Sequence, residues 1–244
     1  KEISPYRYVG VNFNSQGNPN LKPSDNYNLD LKWDFNPTPT ELISLTAFYK
    51  LIKNPISRIE VASAGGYLSY ENIADKATVA GVEIEIRKNL FVRPVSNAAH
   101  GMNKLSLGLN GSYIYTNAKM PLATVTTGSQ LEGAAPWIVN FDLSHNFTKG
   151  ERSFVNTLVL NYVSDKIYTI GTQGYQDIME QGVLILDFVS QAKLNKHLSL
   201  NLKARNLLNP SYKLSRKANE NGEKVILNDY KKGINISLGV SCTF

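Results

Sequence analysis

The stretch DYKKGINISLGVSCTF, residues Asp229–Phe244, puts Ile234, Ile236, Leu238, Val240, Cys242 and Phe244 at every second position. Gly233, Asn235, Ser237, Gly239, Ser241 and Thr243 fall between them. Side chains of an extended chain alternate between two faces, so this is a strand with one apolar face and one small or polar face. It is longer than the about 5–6 residues usual in soluble sheets and matches the about 9–11 that cross a bilayer.

The same pattern recurs along the chain. Tyr27, Leu29, Leu31, Trp33 and Phe35 alternate with Asn28, Asp30, Lys32 and Asp34. NPTPT, Asn36–Thr40, ends that strand, because proline lacks the donor a ladder needs. Further strands are expected at Glu41–Lys53, Val79–Lys88, Lys104–Thr116, Pro136–Phe147, Ser153–Val163, Val183–Leu194 and His197–Leu208. With the last strand they number nine. Their connections sort by length. Short turns are expected at 36–40, 148–152 and 195–196, the last being the tightest, with an intermediate connection at 89–103. Long loops occupy roughly 54–78, 117–135, 164–182 and 209–228. Turns at one end of a sheet and long loops at the other define the pattern of a transmembrane β-barrel. A soluble sandwich would show hairpins too, but gives no reason for strands this long or loops sorted onto one rim.

Composition agrees. The 244 residues carry a formal charge of +6, with 26 Lys and Arg scattered and no basic run longer than Lys231–Lys232, which argues against a nucleic-acid partner. No stretch reaches 18 apolar residues, and the mean hydropathy of −0.23 is what alternating strands produce. The single cysteine, Cys242, excludes an intrachain disulfide and reads as an apolar resident of the last strand. KEISPYRY at the start has no signal-peptide core, so an exported form is expected to be processed or a fragment. Nine strands would leave two edges open, at several kcal/mol per unsatisfied backbone group in lipid. The chain is therefore expected to be part of a larger barrel, unless residues 3–13 add a tenth strand.

Several segments carry a more specific likeness: GNPNLKPSDNYNLDLKWDF, LISLTAFYKLIKNPI, VAGVEIEI, LEGAAPWIVNFDLS, LNLKARNLLNPSY and the ending quoted above. In this order they resemble the C-terminal part of the β-barrel of TonB-dependent outer-membrane receptors, of the kind common in Bacteroidetes. The resemblance implies an all-β, antiparallel transmembrane β-barrel of 22 strands, of which this chain supplies the last nine or ten. Residues 1–26 would be an outer-side loop or partial strand, and 27–244 the barrel wall. It also implies a plug domain, a TonB-type energy-transducing complex, lipid and lipopolysaccharide around the wall, and the outer-membrane assembly machinery, which would recognise a terminal aromatic such as Phe244. A surface lipoprotein is a further partner the resemblance allows, although NLLNPSYKL does not look like the lipoprotein-lidded branch. The implied function is energised import of a large or scarce solute, the alternative being a small passive porin or structural barrel.

The residues offer no enzyme constellation, no cofactor motif and no metal-ligand spacing. His100, His145 and His197 lie in separate segments. Asp30, Glu83, Glu85, Asp142, Asp187, Lys203 and Arg205 occupy polar rows expected to line the lumen. Trp33, Phe35, Trp137, Phe154 and Phe244 are expected against lipid or at its interface. Solute contacts belong on the long loops. Tyr168, Gln173, Tyr175 and Gln176 combine rings with amides suited to a sugar, peptide or chelate, and Tyr212, Arg216 and Lys217 would attract an anion.

Overall fold

The computed structural model describes residues 2, 4, 7–8, 13–61, 67–95, 101–120, 130–218 and 222–243. Among them are seventeen strands and no helix. In chain order they are β1 Arg7–Tyr8, β2 Asn14–Gln16, β3 Asp25–Phe35, β4 Leu42–Lys53, β5 Ile56–Val61, β6 Tyr67–Asn72, β7 Lys76–Pro94, β8 Met102–Ala118 and β9 Trp137–Lys149. They continue as β10 Arg152–Val163, β11 Lys166–Thr169, β12 Ile178–Glu180, β13 Val183–Lys193, β14 Leu198–Arg205, β15 Ser211–Lys217, β16 Lys224–Lys231 and β17 Asn235–Cys242.

Nine of these form one antiparallel meander in the order β17-β14-β13-β10-β9-β8-β7-β4-β3. They are the nine strands the alternation predicts. Among the described residues neither end of the sheet, β3 or β17, has a further partner strand. The register places the apolar rows side by side: Leu45 opposes Trp33 and Ile84, Leu109 opposes Ile86 and Phe141, Leu160 opposes Phe141 and Leu186, and Leu202 opposes Leu238. Among the described residues nothing covers this face. Leu31 is 75% exposed and Leu238 71%. Rows like these are unstable in water at about 1.5–3 kcal/mol per side chain, so their partner is hydrocarbon.

Aromatic rings border that face at both ends. Tyr27, Tyr49, Tyr113, Tyr115, Trp137 and Tyr162 lie toward the long loops, with Tyr113 and Trp137 in contact at 4.6 Å between centroids. Trp33 stacks with Phe35, and Phe147 meets Phe154, toward the short turns. An eleven-residue strand such as β3, tilted by about 40°, rises about 25 Å, the height of the apolar band of an outer-membrane barrel. Trp33, Phe35, Trp137 and Phe154 thus sit where expected; Phe244 and His100 lie outside the described residues.

The apolar rows have gaps, and the register aligns them. His145 opposes Asn156, and Asn156 opposes Ser190. The gaps satisfy one another: His145 Nε2 lies 2.8 Å from Asn103 Oδ1, and Ser190 donates to Asn156 Oδ1 at 2.7 Å.

Two turn readings need correction. The expected 89–103 connection is mostly strand: β7 runs to Pro94 and β8 begins at Met102, paired throughout with one irregularity between Asn89 and Phe91. That extra residue breaks the alternation, which is why the sequence reads as loop there. The tightest turn is not 195–196 but Gly150–Glu151, since Lys149 and Arg152 are already paired. Gly150 has φ +59°, as such a turn requires. Asn195 instead caps its own turn, its Oδ1 accepting from the backbone N–H of His197 and Leu198.

The long loops hold the larger surprise. They contain two four-stranded sheets, β1-β2-β6-β5 and β11-β12-β15-β16, joined by a parallel bridge between Ile59 and Ile170. Residues 7–8 and 14–16 belong to this outer layer; no tenth strand joins the nine among the described residues.

Candidate functional site

The buried core of the described residues lies in the loop layer rather than in the long sheet. Ile59, Ile73, Ala74, Leu131, Ile167 and Ile170 form one cluster with Ala77 and Ala118. The last two locate the layer. Ala77 pairs with Ile52 and Ala118, and these residues fall on the same face of the sheet as Glu83, Asp30 and Lys50. At the loop end the polar face therefore turns apolar, and the loops fold over that face. The Leu131 backbone N–H donates to the buried Thr116 hydroxyl at 3.1 Å, fixing the same contact with a polar bond.

Ion pairs tie the loops to one another. Arg58 on β5 reaches Glu132 through Nη2 at 2.6 Å and Nε at 3.2 Å, and the Arg58 backbone N–H donates to the other carboxylate oxygen at 2.7 Å. Burial works against the Arg58 charge, but the hydrogen bonds and field of Glu132 outweigh it and hold the guanidinium above its ordinary pKa. The Tyr168 ring lies 4.1 Å beneath that guanidinium. Nearby Tyr70 is pushed up, mainly by burial, with Arg58 opposing. Arg216 on β15 pairs with Glu60 on β5, linking the fourth long loop to the first.

Below this layer, on the polar face, lies a cavity of about 540 Å³ bordered by Asp30, Thr46, Phe48, Lys50, Glu83 and, from the loop layer, Ala134. Asp30 and Glu83 are thus brought together. The other polar-row residues spread along the same face. Glu85 pairs with Arg87 at 2.7 Å, and the Asp142 carboxylate lies over Gly108, where a Cβ would collide with it. Asp187 accepts from the Asn206 backbone N–H at 2.8 Å. Lys203 and Arg205 oppose Ser237 and Asn235 of β17.

The loop candidates separate into two places. Tyr168 and Tyr212 border a cavity of about 150 Å³ with Tyr230, where Tyr212 and Tyr230 stack at 5.4 Å and Lys232 lies 3.9 Å over the Tyr212 ring. Gln176, Arg216 and Lys217 border another, of about 300 Å³, and Tyr175 packs against Arg216 at 5.3 Å. Gln173 is exposed on the turn between β11 and β12 with φ +53°. Glu60, Arg58, Glu132, Tyr230 and Lys224 are absent from the sequence-derived set. ISRIEV and KVILNDYK, which form β5 and β16, are only six and eight residues long and neither alternates cleanly, so they give little sequence signal. No group of three or more His, Cys, Asp or Glu side chains is arranged to hold a metal among the described residues.

A long antiparallel sheet with a lipid-facing surface, two aromatic borders and a loop layer over its polar face defines the wall of an outer-membrane β-barrel. The family described as TonB dependent receptor-like, beta-barrel matches residues 2–207, and the chain belongs to that family. No curated protein and no solved structure matches it. The family is one of outer-membrane transporters rather than enzymes, located in the Gram-negative outer membrane and working with a plug domain and TonB.

Proposed function

We propose that this chain forms part of the wall and the solute-contacting outer loops of a receptor that imports a large or scarce solute by TonB-dependent transport. The observation that carries this reading is the loop layer seated on Ile52, Ala77 and Ala118, which roofs a polar cavity on the face opposite lipid. A wall that only needed to leak would gain nothing from a roof with its own core and ion pairs.

In this reading residues 27–244 are wall and loops, and residues 1–26 contribute to the outer layer. Asp30, Glu83, Glu85, Asp142, Asp187, Lys203 and Arg205 line the lumen and meet the plug. Tyr168, Gln173, Tyr175, Gln176, Tyr212, Arg216 and Lys217 belong to the solute-facing loops. The apolar face contacts lipid and lipopolysaccharide, and Phe244 serves as the assembly signal.

The test compares solute depletion from a defined medium by cells with and without the receptor, each with the proton gradient intact or collapsed. Import predicts a solute depleted only by energised, receptor-bearing cells. Depletion that is indifferent to energy, together with a large open conductance in planar bilayers, would instead identify a passive barrel.

A further inference from the structure

The 300 Å³ cavity between β12, β15 and β16 has an electrostatic feature that folding alone does not account for. Lys217 and Lys224 are direct cross-strand partners. Both border the cavity, both are exposed, and neither has a carboxylate within 4.0 Å among the described residues. Like charges placed directly opposite each other weaken a β-pair.

Other donors converge on the same cavity. Ser215, 2% exposed, borders it; its oxygen accepts from Gln181 Nε2 at 3.2 Å, which leaves the hydroxyl hydrogen to donate. Arg216 gives Nη2 to Glu60, while its buried Nε–H has no partner. Two carboxylates also border the cavity and keep their charge, each with one oxygen accepting from backbone: Asp165 from the Gly182 N–H at 2.6 Å, and Asp177 from the Gly171 N–H at 2.8 Å. Around a space large enough for a small polar group therefore stand two ammonium groups with no carboxylate within 4.0 Å among the described residues, a hydroxyl and a guanidinium with an unused donor, beside the two backbone-bonded carboxylates.

We infer that this cavity is an oxyanion subsite, binding a carboxylate or phosphate group carried by the imported solute, with Lys217 and Lys224 as its principal cationic contacts. Bound oxyanion turns the Lys217–Lys224 repulsion into two attractions and supplies acceptors for Ser215 and the Arg216 side. The inference rests on the import reading for the ligand's role, but its geometry stands apart from it. Arg216 acts as a positioning residue, since its ion pair with Glu60 joins two loops.

The test uses the intact receptor, purified from outer membranes in detergent, titrated calorimetrically at constant ionic strength with inorganic phosphate, with citrate, and with glucose as a neutral control. Saturable binding of phosphate or citrate but not glucose is expected, and the preferred probe separates a phosphate from a carboxylate ligand. Lys217→Gln and Lys224→Gln should each weaken binding by roughly ten- to a hundredfold, the size of one charge-assisted hydrogen bond. Lys213→Gln, whose lysine pairs with Asp229 away from this cavity, should leave it unchanged. Both lysine variants should also raise the melting temperature of the ligand-free protein slightly, a readout of relieved repulsion. Equal binding by wild type and both variants, or no saturable binding of either anion, would overturn the inference. Variant-insensitive binding beside intact energised uptake removes this site alone. Lysine-dependent anion binding with energy-independent uptake removes the import reading and leaves the site.

Discussion

Glu132 holds Arg58 at three points, accepting from Nη2, Nε and the Arg58 backbone N–H at 2.6, 3.2 and 2.7 Å across 74 residues of sequence. One carboxylate thus fixes both the side chain and the strand of its partner, and through them binds the first long loop to the second. Removing it leaves a largely buried guanidinium and a backbone donor unsatisfied. Glu132→Gln should destabilise the loop layer by about 1–3 kcal/mol, below the full figure for a buried pair because Arg58 is one quarter exposed. Limited proteolysis should then cut within the loops, while heat-modifiable migration on gels shows the wall intact. Unaltered proteolysis would mean the pair does not hold the loops.

The apolar seat of the loops makes a second claim. Ile170 is 1% exposed and belongs to both the loop core and the bridge to Ile59. Truncation of a buried isoleucine to alanine costs about 2–5 kcal/mol, depending on how far the site collapses. Ile170→Ala should raise amide exchange in β5 and β11 together while leaving β9 and β10 protected. Exchange confined to β11 would show that the two loop sheets are not coupled.

How far all this was legible in the sequence depends on strand length. Every strand of the wall announced itself, because rows such as Tyr27 to Phe35 repeat the alternation enough times to exclude other periods. The loop sheets did not. Strands β11 and β12 have four and three residues, too few to establish a period, and β5 gains its place from Ile170, more than a hundred residues later. The polar rows are legible as sharing one face of the sheet because parity is set locally. Nothing in SYKLSRK reveals that Glu60 on β5 meets Arg216; partners distant in sequence are set by the meander and the folding-over of the loops.

Adjacent residues on one strand test the two faces. Leu109 and Asn110 are neighbours on β8, the first in the apolar row between Ile86 and Phe141, the second on the polar face accepting from Asn140 at 3.3 Å. Leu109→Arg should cost about 2–4 kcal/mol of folding free energy in lipid vesicles, as for a charge near the bilayer midplane, and Asn110→Arg less than about 1. Equal costs would contradict the assignment of faces.

A subtler test lies where polarity interrupts the lipid-facing rows. His145, one row in from the Phe147–Phe154 contact, lies 2.8 Å from Asn103, which stands directly opposite Phe147. In hydrocarbon a lone polar group has no water to replace its partner. Asn103→Leu alone should therefore cost about 1–3 kcal/mol by stranding the imidazole, and His145→Leu alone a similar amount by stranding the amide. Replacing both removes the unsatisfied groups together and restores an unbroken apolar row, so the double variant should recover most of the loss or exceed wild-type stability. A double-mutant cycle in lipid vesicles measures this directly. Additive losses would mean the two side chains are solvated separately, placing this row in the headgroup region rather than in the hydrocarbon.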